Sequence, residues 1–267
     1  MFKNITLGQY FPGNSPLHRA DPRFKIIISL IYIVSVFVCK TLWSYLFMVL
    51  GTIIIIAISR IPLKLVFSGF KTIIVIIVFT ALINIFWTKG EALIFEWKFI
   101  HIYREGLIYA GAMVIRLVCL LCTTGVLLSY TTSPISLTDG LEKLLSPLKK
   151  LKVPVHEFSM MMTIALRFIP TLIEETDKIT SAQKARGADF TRGGLVAKIK
   201  ALIPILIPLF VCAFRRADDL ATAMECRAYR GGEGRTRMKV LKSAPVDYIL
   251  LTAFSVLIAG IITLNFV

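Results

Sequence analysis

Five runs of apolar residues stand out along the chain, at 24–39, 42–59, 72–87, 106–130 and 246–267. Each is long enough, allowing for interfacial ends and tilt, to cross a hydrocarbon layer that needs ~20 residues of helix. A tight turn at Lys40 separates the first two. Arg60, Pro62, Lys64 and Lys71 form a short basic connection before the third. Residues 88–105 are mixed and nearly neutral, and the alternation over 93–103 predicts a short β-hairpin. Residues 1–25 are polar and rich in turn formers (Gly8, Pro12, Gly13, Asn14, Pro16, Pro22), without the early apolar core of a cleaved signal peptide.

After residue 130 the pattern changes. A Ser133-Pro134 break leads into an amphipathic stretch at 137–151, then two long helical stretches from Pro154 to about Arg186 and from about Gly194 to Arg230. Both contain apolar segments: 158–173 is interrupted by Arg167 and Pro170, and 201–214 contains Pro204 and Pro208. Apolar segments of ~10–14 residues fit buried or interfacial helices better than spans, and the prolines predict kinks. The expected organisation is an N-terminal segment with four transmembrane helices at 1–130, a cytoplasmic region of about three helices at 131–245, and a fifth span at 246–267.

Composition agrees. The 267 residues are 56% hydrophobic and mean hydropathy is +0.76, more apolar than a soluble domain. Lys and Arg number 31 against 16 acidic residues, a net charge of +15. Basic residues accumulate on the cytoplasmic side of membrane proteins. In a five-span arrangement the N-terminus, 60–71 and 131–245 all lie inside and the C-terminus lies outside. A seven-span arrangement would put Lys178, Lys184, Arg186, Arg192, Lys198 and Lys200 outside, against that rule. The basic residues flank apolar runs with no aromatic-rich face among them, which disfavours nucleic acid as a partner. Cys119 and Cys122 form a CxxC, but inside an apolar stretch with no histidine near, so they read as small packing residues.

Two stretches repeat one pattern. Ala182-Gln183-Lys184-Ala185-Arg186-Gly187 closes one long helix, and Ala223-Met224-Glu225-Cys226-Arg227-Ala228 lies near the end of the next. Small residues flank each arginine and leave its planar fork open to a partner's carboxylates. A basic residue in a last helical turn also meets the negative end of the helix dipole, and Gly187 and Gly231-Gly232 read as helix stops. Repetition on consecutive helices points to paired docking points.

These stretches resemble signatures of the transmembrane T-component of energy-coupling factor (ECF) transporters, a branch of the ATP-binding cassette importers. Ala185-Arg186-Gly187 matches the first Ala-Arg-Gly signature. The segment from Ala223 to Gly232 resembles the second, with Cys226 and Ala228 where Ala and Gly are commoner. The opening, Gly8-Gln9-Tyr10 through Ser15-Pro16-Leu17-His18 to Asp21-Pro22-Arg23, is similar to the family's. The resemblance implies an all-α integral membrane protein that acts as the energy-coupling scaffold of a vitamin or micronutrient importer in the cell membrane. Two ATPase subunits, identical or homologous, would dock on Ala185, Arg186, Gly187 and on Cys226, Arg227, Ala228. A membrane-embedded substrate-binding S-component would be held by an apolar grip of Leu202, Ile203, Leu206, Leu209 and Phe210, with 158–173 contributing. ATP and magnesium would sit on the ATPases; this chain would bind no cofactor and catalyse nothing. The alternative is a conventional importer permease that forms its own substrate path.

The residues agree with a non-catalytic reading. No GxxxxGK[ST] motif is present. His18, His101 and His156 are scattered, away from metal-ligand spacing. Glu174-Glu175 and Asp218-Asp219 read as partners for Lys178, Arg215 and Arg216. Arg116 lies deep in the fourth apolar run. Such an arginine is either functional or paired with a polar group such as Asn84 or a backbone carbonyl.

Overall fold

A computed structural model of the chain describes residues 10–71, 73–88, 93–97, 100–188, 194–231, 241 and 243–266. Gly8, Gln9 and Gly232 of the motifs above lie outside the described residues. The chain forms two compact units, one from residues 8–144 with 241–267, the other chiefly from 145–240.

The first unit contains α1 (Pro16–Arg19), α2 (Pro22–Val38), α3 (Leu42–Ser59), α4 (Leu63–Phe70), α5 (Ile74–Trp87), α6 (Arg104–Thr124), most of α7 (Pro134–Leu145) and α10 (Pro245–Phe266). The helix α6 runs on through a π-helical segment, Gly125–Tyr130. Among the described residues three helices are long and apolar enough to cross a membrane: α3, α6 with its extension, and α10. The broken pair α4–α5 makes a fourth if counted as one span. The fifth apolar helix, α2, has 17 residues against 18 for α3. The chain is thus an all-helical integral membrane protein, apart from the hairpin of β1 (Leu93–Trp97) and β2 (Ile100–Tyr103), which pair antiparallel as the alternation predicted.

The core mixes small polar residues with large apolar ones such as Tyr32, Val36, Met48 and Ile55. Ser29, Ser35, Ser44, Gly51, Thr52 and Ser59 are buried, while Leu30, Val34, Phe37, Leu46, Ile53, Val75 and Phe79 are exposed. Large side chains face lipid, and small ones let helices approach and hydrogen-bond. Tyr32 Oη lies 2.7 Å from Thr52 Oγ1 between α2 and α3. At Gly51 a Cβ would overlap the Leu257 side chain of α10, so a larger residue there would force Leu257 to move.

Hydrogen bonds fix the two ends of this unit. At one face, Asp21 caps α2 and Pro22 occupies its first position. Asp247, at the start of α10, is fully buried. Its two carboxylate oxygens accept from the Asp21 and Ala244 N–H groups, each at 2.7 Å. Lys25 Nζ donates to the Thr131 carbonyl at 3.0 Å and Thr132 Oγ1 at 3.1 Å, at the end of the α6 extension. Tyr130 Oη donates to the Leu65 carbonyl of α4. At the opposite face, Asn265 near the end of α10 bridges the α2–α3 turn: its Nδ2 donates to the Val38 carbonyl and its Oδ1 accepts from Lys40 N–H. The helices α2 and α10 therefore run parallel, with α6 antiparallel to both.

Residues 62–71, read as a plain connection, contain α4 instead. Leu63, Val66, Phe67 and Phe70 share one helical face, a signal that the basic residues around it masked. Asn84 is not the partner of Arg116. Asn84 donates to Thr80 in its own helix, whereas Arg116 donates to the Cys39 carbonyl at 2.8 Å and to Tyr45 Oη at 2.6 Å. Two antiparallel helices thus cap each other: Lys25 of α2 closes the C-terminus of α6, and Arg116 of α6 closes that of α2. Each cation meets the negative end of the other helix's dipole.

The second unit holds a 3-10 turn, Ser146–Leu151, and two long helices, α8 (Val155–Ala185) and α9 (Leu195–Cys226). They pack against each other antiparallel. Gln183 of α8 donates to the Pro204 carbonyl of α9, and Arg216 of α9 pairs with Glu175 of α8 at 3.9 Å.

Candidate docking arginines and the apolar face of α9

Both long helices end in the same way. After α8, Gly187 takes a left-handed conformation, φ +86°. Its N–H donates to the Lys184 carbonyl, and the Ala188 N–H donates to the Gln183 carbonyl. After α9, Ala228 is left-handed at φ +52°. Its N–H donates to the Glu225 carbonyl, and the Tyr229 N–H donates to the Met224 carbonyl. These are two Schellman stops, with the left-handed residue just past the cap. Arg186 and Arg227 hold the same place in each, the C-cap.

The geometry explains the small residues around each arginine. Glycine reaches a left-handed φ without strain, so Gly187 closes its helix freely. The Ala228 Cβ costs ~1–2 kcal/mol in the same conformation. The departure from glycine at position 228 is therefore a matter of backbone strain as well as packing.

Ala185, Arg186, Gly187, Cys226, Arg227 and Ala228 are all exposed. Among the described residues neither guanidinium joins an ion pair. The structure does not bring the two arginines together. Gln183, three residues before Arg186, lies against Pro204. From Pro204 to Arg227 there remain ~35 Å of helix at 1.5 Å per residue. The arginines stand at opposite ends of the crossed pair.

On α9 the five residues of the expected grip divide. Leu202, Ile203, Leu206 and Phe210 are exposed, Phe210 by 61%. Leu209 is half-buried on the opposite stripe, with Ala201, Ile205, Cys212 and Arg216 at helical spacing. Ile207, Val211 and Phe214 extend the exposed face. On α8, Phe158, Met161 and Met162 are also exposed.

The sequence profile of the cobalt transport protein family, CbiQ, matches residues 13–239. The energy-coupling factor transporter transmembrane protein EcfT of Clostridium kluyveri is 56% identical over 250 residues, which cover 93% of this chain and 92% of that one. The chain belongs to the family of energy-coupling factor transporter transmembrane proteins. The family's protein of the same name from Ruminiclostridium cellulolyticum is 55% identical over 261 residues, 98% of this chain and 94% of its own. That of Bacillus subtilis is 46% identical over 258 residues, 97% of each.

The opening motif of this family member acquires a physical meaning. Ser15 caps α1, and its Oγ lies 2.7 Å from His18 Nδ1. His18 Nε2 lies 2.9 Å from the Phe11 carbonyl, and the Phe11 N–H donates to the Tyr130 carbonyl. Arg23 grips Asp21, at 2.6 Å for the shortest contact. The motif thus binds the chain's start to α6 and α10. Lys25 and Asp247 complete this arrangement, and Asn265 bridges the opposite face; all three escaped the sequence reading. A lone charged or amide residue near the end of an apolar run was the available signal.

Proposed function

We propose that this chain is the energy-coupling scaffold of its transporter, carrying motion from two ATP-binding subunits to a substrate-binding membrane subunit. The observation that carries this reading is the pair of exposed arginines, each at the C-cap of a rigid helix and far from the other. One ATPase closes around Ala185, Arg186 and Gly187, the other around Cys226, Arg227 and Ala228, each offering carboxylates to a guanidinium. When ATP draws the two ATPases together and hydrolysis releases them, arginines held in different subunits follow. The helices α8 and α9 then slide against each other as levers and change the surface offered to the substrate-binding subunit. That subunit rests on Leu202, Ile203, Leu206 and Phe210 with Ile207, Val211 and Phe214, an exposed apolar face suited to a hydrophobic partner. ATP and magnesium belong to the ATPases.

The sidedness follows from charge. The face holding the starts of α2 and α10 also holds Arg60, Lys64 and the chain's passage into 145–240. On the positive-inside rule it is cytoplasmic, and the face with Lys40 and Asn265 is external.

The test is affinity purification of the chain in mild detergent, native and with Arg186 and Arg227 both changed to Ala. The native chain should bring two ATPase subunits and a small membrane protein. Each Arg→Ala change should cost ~2–5 kcal/mol by leaving a buried carboxylate unpaired, so the double variant should lose the ATPases. Asp at Leu202 and Leu206 should release the membrane subunit and keep the ATPases. A native chain that purifies alone and binds a solute would replace the scaffold by a self-contained permease.

A further inference from the structure

Between α3 and α10 lies an apolar groove of about 250 Å³. Its floor is Leu17, Gly51, Ile55 and Phe254, all buried. Its walls include Ile54 and Ile58 of α3 and Ala253 and Val256 of α10. Three observations define what fits it. Its length along α3, from Ile58 to Phe47, is ~16 Å at helical rise. One leaflet of a ~30 Å hydrocarbon core is about as deep. The groove starts at the face where α10 begins and runs past Gly51 and Leu257 to Phe47. Its open side is the membrane flank of two spans.

The third observation is the charge at its mouth. Arg19 lies two residues beyond Leu17, and Arg60 two residues beyond Ile58. Both arginines are exposed, and neither is in an ion pair among the described residues. The nearest carboxylates in the sequence at this end, Asp21 and Asp247, are buried and already accept hydrogen bonds. Two uncompensated cations above an apolar slot one leaflet deep match a phosphate-bearing head and an acyl chain.

We propose that this groove binds one acyl chain of an anionic phospholipid from the leaflet on the Arg60 side, with Arg19 and Arg60 holding its headgroup. The site does not depend on the docking of ATPases. The lipid would fill the seam between α3 and α10.

The experiment reconstitutes the full chain in nanodiscs of phosphatidylglycerol and phosphatidylcholine, re-extracts it in mild detergent, and counts retained lipids by native mass spectrometry. The native chain should retain phosphatidylglycerol in preference. Arg19→Gln with Arg60→Gln should keep a lipid but lose the preference, roughly five-fold per arginine, the factor equivalent to ~1 kcal/mol per cation at an anionic surface. Ala253→Trp should fill the groove and expel the lipid. Val75→Trp, on an exposed position of α5, should change nothing. Thermal melting of each variant separates loss of lipid from loss of fold. Unchanged retention in a folded Ala253→Trp variant overturns the site. An unchanged preference in the double Gln variant overturns the headgroup assignment. If Ala253→Trp, purified with its partners, sheds a membrane protein and keeps its lipid, the groove is a protein interface and the proposal falls. If that variant does not fold, Ala253→Leu, a smaller filling, should lower retention; retention equal to native would reject the site.

Discussion

In the unit of apolar helices, charges at buried or half-buried positions among the described residues have partners in place: Lys25 with Thr131 and Thr132, Asp21 with Arg23, Asp247 with two backbone N–H groups, and the half-buried Arg116, through one guanidinium nitrogen, with Cys39 and Tyr45. In the α8–α9 unit the two signature arginines stand exposed at helix ends, with no ion pair among the described residues. The difference reflects the surroundings. Within a bilayer an unpaired charge is expensive, so a span retains one only with a partner in place. At a water-facing helix end a free guanidinium costs little and stays available for a partner subunit. Cations in this chain thus divide into those that hold the fold and those left exposed at helix ends.

The strongest test of that division is a pair of opposite losses. Asp247→Ala removes the acceptor of two buried N–H groups and should destabilise the chain by ~2–6 kcal/mol, counting ~1–3 for each orphaned donor. Thermal melting in detergent reads this directly. Arg186→Ala and Arg227→Ala, at exposed positions, should move the same melting by less than ~0.5 kcal/mol. If the docking arginines unfold the chain, or Asp247 proves neutral, the two classes of charge are not distinct.

Lys25→Met should lie below Asp247. It keeps the length of the side chain and strips the cap from the Thr131 carbonyl, at a cost of ~1–3 kcal/mol. Cysteine-accessibility labelling at Ser133 should rise in the same variant if the end of α6 loosens. A melting curve equal to the native one would mean that water caps Thr131 as well as the ammonium does.

The smallest expected effect compares the two helix stops. Ala228→Gly should stabilise the end of α9 by ~1 kcal/mol, and Gly187→Ala should destabilise the end of α8 by a similar amount, because only the alanine carries a Cβ in the left-handed conformation. Amide hydrogen exchange in the final turn of each helix measures both. Equal exchange in the native chain and both variants would show that these stops do not control the helix ends.

The sequence revealed much of the proposed docking region because capping is local. A Schellman stop lies within six consecutive residues, so for α8 the Ala-Arg-Gly spacing carried its geometry; for α9 the stop expected at Gly231-Gly232 falls earlier, at Ala228, because the backbone turns left-handed there without a glycine. The same holds for Asp21-Pro22 at the start of α2. The grip on α9 was less legible. Leu209 is as apolar as Leu206, and only packing against a neighbour turns one inward and leaves the other exposed. Arg116 was visible as an oddity, but its partner Cys39 lies 77 residues away, beyond any local pattern.

By itself the sequence determined the apolar runs, the hairpin after α5, the basic bias of the connections, and the two arginine-bearing helix ends. Length, periodicity and capping act over a few residues and need no knowledge of neighbours. Only the tertiary structure decided which residues meet across the membrane unit. Asp21 finds Asp247 across 226 positions of chain, and Lys25 and Arg116 find the opposite ends of each other's helices. The physical reason is that lipid and protein interior are both apolar. A spanning helix therefore lacks the alternation of polar and apolar faces that tells a reader which side turns inward, and its few polar contacts become visible only once the helices are packed.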